Sequence, residues 1–121
     1  MILGRFGDED ELVFEIDLIA GDELELPVNA ILDTGFSDWL AMDEQDLEGF
    51  DWEYLGERDM LLAKGESKFD VYAGKVKIAG VVFEIPVYVG QGIPEVLLGR
   101  QWLKTRRLVV DIPSQVLTLG D

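Results

Sequence analysis

The 121-residue chain contains no histidine and no cysteine. Those two absences exclude Ser-His-Asp triads, cysteine nucleophiles and the usual zinc sites, and they exclude disulfides, which is compatible with a reducing compartment. Basic residues are scarce: 10 Lys+Arg stand against 25 Asp+Glu, a formal net charge of −15. Such a balance repels phosphate backbones and anionic lipid, so neither nucleic acid nor membrane is an expected partner. No window approaches the roughly 20 apolar residues that span a bilayer. The first residues, Met1–Arg5, lack the apolar run of a signal peptide, which makes cytoplasm the expected location. With only four prolines and 48% hydrophobic residues, the composition is that of a folded globular chain, and 121 residues suit one domain spanning 1–121. If the protein does chemistry, carboxylates must do most of it.

What is present is alternation. Leu12–Leu18 and Leu24–Ala30 read with a period of two, joined by a turn at Ala20–Glu23. Trp39–Met42 reads as a short buried strand, and Asp43 is positioned to cap one or two helical turns that Gly49 ends. Further strands are expected at Trp52–Leu55, Met60–Ala63, Lys68–Ile78 and Val81–Val89, the second and third joined across Lys64–Ser67 as a long hairpin with a polar tip. Gln101–Arg107 is the one late segment that reads as helix. Many short strands with turn signals and one or two short helices predict an all-β fold, a small closed or partly closed barrel.

One carboxylate stands out. Ile31-Leu32-Asp33-Thr34-Gly35-Phe36-Ser37 delivers Asp33 from an apolar strand straight onto a tight, polar turn. Leu97-Leu98-Gly99-Arg100 leads into the late helix. Asp33-Thr34-Gly35, the glycine-bearing hairpin and the Leu98-Gly99-Arg100 element, in that order, resemble the retropepsin-like aspartic proteases, and small bacterial members in particular. That resemblance implies an acid-protease-type barrel with a flap hairpin. It implies Asp33, Thr34 and Gly35 at the catalytic centre and Leu98, Gly99 and Arg100 as structural support. Substrate would lie between Phe36 and Ser37 on one side and the flap residues Ala63, Lys64, Gly65, Glu66 and Ser67 on the other. It further implies that Thr34 bonds across a two-fold axis to a partner's loop, and no metal or other cofactor.

The chemistry agrees with the resemblance. Hydrolysis of a peptide without metal or covalent intermediate needs water deprotonated as it attacks and a carbonyl oxygen that receives a proton. Two carboxylates sharing one proton do both. No other aspartate is followed by Thr/Ser-Gly, so the chain carries half of such a pair and a homodimer must supply the rest. The substrate is then an extended peptide or protein segment held by main-chain hydrogen bonds. Phe36 departs from the Ala or Ser common after the glycine in the family; it offers no hydroxyl to the pair, and activity nearer neutral pH is expected. The acidity of the chain argues for basic over acidic peptides.

Each signal has a plainer alternative. Asp33-Thr34-Gly35 can be a β-turn whose aspartate caps the backbone and whose glycine takes positive φ. Arg100 is a candidate ion-pair partner for Asp38, or an exposed surface charge. Asp8–Glu11 reads as a solvated acidic loop, Lys104, Arg106 and Arg107 as complements to a helix dipole, and Trp39, Trp52 and Trp102 as core or interface aromatics. A second function class on the same barrel is a dimeric peptide-binding module that keeps Asp33 without efficient turnover.

Overall fold

The computed structural model describes residues 1–62 and 65–120, with Leu61 and Leu62 described by their backbone. Eleven strands run through the described residues: β1 Ile2–Leu3, β2 Arg5–Phe6, β3 Leu12–Ile19, β4 Glu25–Leu32, β5 Leu40–Asp43, β6 Glu53–Leu62, β7 Gly65–Ile78, β8 Val81–Gly90, β9 Val96–Leu98, β10 Leu108–Asp111 and β11 Val116–Leu119. A four-residue helix, α1 Glu44–Leu47, follows β5, with the Asp43 carboxylate accepting from Gln45 N as its N-cap. A 3₁₀ helix occupies Arg100–Lys104.

The larger sheet has the order β2-β3-β4-β9-β5-β8-β7-β6, and β3 also pairs with β7. That pairing, Asp17 opposite Lys77 and Leu18 opposite Val76, closes β3, β4, β9, β5, β8 and β7 into a six-stranded barrel. Ion pairs flank the seam, Lys75 to Glu23 at 3.3 Å and Lys77 to Glu25 at 3.2 Å. Inward-facing residues of each strand fill the interior, among them Phe14, Leu18, Leu40, Val76, Val87 and Leu98, all essentially inaccessible to water. Two strand prolines lie just where a neighbouring strand is missing. Pro27 precedes the stretch of β4 that β9 covers, which begins at Ala30, and Pro86 precedes the stretch of β8 that β5 covers, which begins at Val87. An uncovered edge is one of the few places where a strand tolerates a residue without an amide donor.

Two expectations change in detail. Trp52–Leu55 and Met60–Ala63, read as separate strands, form one strand, β6, whose register against β7 shifts between Tyr54 and Gly56. The expected helix Gln101–Arg107 is a shorter 3₁₀ turn, Arg100–Lys104, whose first-turn amide Gln101 N, without a partner inside the helix, donates to Asp38 O at 3.4 Å. The termini pair with each other. β1 and β10 flank β11 in a three-stranded antiparallel sheet, Ile2 opposite Leu119 and Val109 opposite Thr118.

Candidate active site

The barrel places Asp33 by a crossing. β9 runs parallel to β4 on one side and antiparallel to β5 on the other, with Leu98 opposite both Leu32 and Leu40. The chain leaving β4 must therefore pass over the end of β9 to return as β5, and residues 33–39 make that passage. Four main-chain hydrogen bonds fasten the loop to β9 and the turn after it: Asp33 N to Leu98 O at 2.9 Å, Gly99 N to Trp39 O at 3.0 Å, Arg100 N to Phe36 O at 2.9 Å, and Gln101 N to Asp38 O. The Leu98-Gly99-Arg100 element and the Asp33 loop, distant in sequence, thus form one unit.

Within the loop, the Asp33 carboxylate is held in place by its own turn. Gly35 N donates to Asp33 Oδ1 at 2.8 Å and Phe36 N to Asp33 O at 3.1 Å. Gly35 does not use positive φ. A β-carbon there would instead lie 3.1 Å from Asp33 Oδ1, so glycine serves close approach to the carboxylate. Asp33, Thr34 and Gly35 are exposed on the single chain. Arg100 reaches back from the 3₁₀ helix, its Nη1 donating to Thr34 O at 2.8 Å. Its brace on the loop is a main-chain carbonyl, with no ion pair to Asp38 among the described residues.

Trp102 anchors the unit from below. It is fully buried, donates from Nε1 to Trp39 O at 2.8 Å, and meets Trp39 and Phe83 edge to face at 4.8 and 5.3 Å. Arg106 stacks its guanidinium over Phe83 and Trp102, 4.8 and 5.2 Å from the ring centres, a cation–π role beyond the expected helix-end charge.

Phe36 points inward, only 3% exposed, into a second apolar cluster with Ala41, Phe69, Val71 and Tyr88. Met60 from β6, together with Ile93 and Leu97, packs against the same cluster, so the β6–β7 hairpin touches the group that carries Phe36. That hairpin runs in continuous register out to Leu62 opposite Gly65. Of its expected tip, Gly65, Glu66 and Ser67 are paired in β7, opposite Leu62, Leu61 and Met60, whereas Ala63 and Lys64 lie outside the described residues. Ser67 also lines a cavity of about 330 Å³ with Glu57, Phe69, Gln91 and Ile93. Ser37 is exposed on the crossing loop.

Sequence reasoning missed Tyr88. Its ring stands edge-on to Phe36 at 6.0 Å and to Phe69 at 6.3 Å. Its phenol is pushed above the ordinary tyrosine value by burial, then by the Asp38 carboxylate beside it, against the opposing charge of Arg58. An aromatic among the valines of Val87–Val89 was the only available signal.

No protein-family model matches the sequence, and no curated protein matches it. Solved structures do. A retropepsin-like aspartic protease from Rickettsia conorii is similar over 98% of this chain and 88% of its own, with a TM-score of 0.67 and 23% identity. EIAV protease, solved with the inhibitor HBY-793, is similar over 82% of this chain and 90% of its own, with a TM-score of 0.65 and 18% identity. The fold is that of the retropepsin-like aspartic proteases.

Proposed function

With the retropepsin-like fold as premise, we propose that the chain, residues 1–121 acting as one domain, is an aspartic endopeptidase whose dyad is Asp33 of two copies. The observation that carries this reading is the Asp33 loop itself. An exposed carboxylate, oriented by Gly35 N, sits on the loop that leaves β4 and crosses the end of β9, in a fold shared with aspartic proteases. Four main-chain bonds and the Arg100 contact to Thr34 O fix the loop that carries it.

The chemistry follows from two such carboxylates sharing one proton. Like charges about 3 Å apart cannot both ionise, so one is a base and the other an acid. The base takes a proton from water as its oxygen bonds to the peptide carbon, and the acid gives its proton to the carbonyl oxygen. The carboxyl that took the proton from water then gives it to the nitrogen while the other, now ionised, takes a proton from one hydroxyl of the tetrahedral diol; the C–N bond breaks, leaving a carboxyl and an amine and restoring the shared proton. No metal or other cofactor takes part in this scheme. The substrate is an extended peptide or protein segment, lying between the crossing loop, with Ser37 at its surface and Phe36 buried beneath, and the hairpin that includes Glu66 and Ser67.

The test is incubation of the purified protein with a mixed peptide library across pH, beside Asp33→Asn. Cleavage by the native chain alone supports the reading; cleavage surviving the substitution defeats the carboxylate mechanism. Peptide binding without cleavage by either would favour a binding module. Sedimentation adds an independent check, since a strict monomer at high concentration cannot assemble the dyad.

A further inference from the structure

We propose that Tyr88 is a positioning residue that ties the flap hairpin to the Asp33 carboxylate; the kinetic part of this inference rests on the protease reading above. Tyr88 lies at the meeting point of three elements. In β8 it is opposite Val71 of the flap strand β7 and opposite Ala41 of β5, the strand into which the crossing loop feeds. Its ring is edge-on to Phe69 of β7 on one side and to Phe36 of the loop on the other, and all three rings are buried. Asp38, at the far end of the same loop, faces its phenol.

The path onward from Phe36 is short. The Phe36 amide donates to Asp33 O and the adjoining Gly35 amide donates to Asp33 Oδ1. A shift of the Phe36 ring therefore pulls on the turn closed by Phe36 N to Asp33 O, and through it on the adjoining Thr34–Gly35 peptide whose amide aims the carboxylate. Edge-to-face rings in a close-packed cluster move together, because sliding one opens a void against the others. Displacement of β7 at Phe69 is passed through Tyr88 to Phe36 and so to Asp33. Met60, on the partner strand of the same hairpin, packs against this cluster as well. Opening and closing of the flap would then set the aim of the acid, with Tyr88 as the shared contact.

The experiment compares Tyr88→Leu, Tyr88→Phe and, as a destabilised control on the same strand, Ile85→Ala, which lies in the main barrel core away from Phe36. Tyr88→Leu removes the ring bridge and is expected to lower kcat about 10- to 100-fold while KM moves much less, the signature of a misaimed catalytic group. Tyr88→Phe keeps both ring contacts and is expected to restore most of kcat. Ile85→Ala should unfold at lower urea without the kcat loss.

Amide exchange gives a readout that needs no activity. In Tyr88→Leu the Gly35 and Phe36 amides and those of β7 near Phe69 should exchange about 10-fold faster than in Ile85→Ala, corrected for global stability. A Tyr88→Leu protein with unchanged kcat and unchanged protection at Gly35 and Phe36 overturns the proposal, as does an Ile85→Ala protein that loses kcat equally. If the native chain cleaves no peptide, the protease reading falls and the exchange data alone decide whether Tyr88 links hairpin and loop.

Discussion

The backbone of Gly99 lies directly against the carbonyl oxygen of Asp38: a β-carbon at residue 99 would overlap that oxygen and come within 2.8 Å of the Phe36 ring. Both obstacles belong to the crossing loop, which cannot retreat without breaking the bonds from Gly99 N to Trp39 O and from Arg100 N to Phe36 O. Gly99→Ala is therefore expected to cost about 3 kcal/mol or more, at the upper end of overpacking penalties. Urea unfolding measures it, and a loss under about 1 kcal/mol would mean the loop and β9 are not a rigid unit.

Arg100 braces the same loop from outside. Its contact with Thr34 O is exposed, and water can replace the donor, so Arg100→Met should change stability by less than about 1 kcal/mol. Its effect on peptide hydrolysis should be larger, a fall in kcat of about 10-fold, because the Thr34 peptide is no longer fixed. Arg100→Lys should recover part of the loss, since the contact uses one donor and an ammonium can supply one. Steady-state kinetics beside thermal melts separates the two effects.

The Thr34 hydroxyl makes no hydrogen bond among the described residues, although its carbonyl is engaged by Arg100. If that hydroxyl bonds across the proposed two-fold axis, Thr34→Val should weaken the dimer about 10-fold, the equivalent of 1.4 kcal/mol. Activity at low protein concentration should then fall and recover as concentration rises. Sedimentation and a concentration series read this out; an activity loss independent of concentration would place the role of Thr34 within one subunit.

Tyr88 predicts an alkaline limit. Its folded value lies above the ordinary phenol value of about 10 because burial and Asp38 disfavour the phenolate. The unfolded chain releases that proton first, so the folded state holds more protons over this range. The stability concerned is present in full below the unfolded value and is lost as pH rises through the folded one. Urea midpoints measured upward from pH 9 should fall, and Tyr88→Phe should fall less steeply. Equal slopes would show that the phenol is solvated in the folded chain.

The features legible in the sequence are those set by local chemistry. Asp33-Thr34-Gly35 and Gly99-Arg100 could be read because tight turns and close backbone approaches demand particular residues within a few positions. Asp43 could be read as a helix cap for the same reason, and it is one. The sequence of β6 reads as two strands because Glu57-Arg58-Asp59 breaks the alternation. The structure shows why charges are admitted there: β6 is the outer edge of the eight-stranded sheet, and all three side chains are exposed. Tyr88 was invisible because its importance comes from pairing with β5 and β7, strands that are distant in the chain. Phe36, expected at a substrate surface, is buried in that cluster, and only the three-dimensional meeting of its partners reveals it.

The crossing over β9 also governs when this protein can become competent. Residues 33–39 have no strand to cross until residues 96–100 exist, and β1 has no partner until β11 has been made. During synthesis most of the chain must emerge before the Asp33 loop acquires its supports, and nearly all of it before the terminal sheet can close. A nascent chain would carry the acid long before it could aim it. The fold thereby imposes a delay between making the Asp33 carboxylate and completing the loop that orients it.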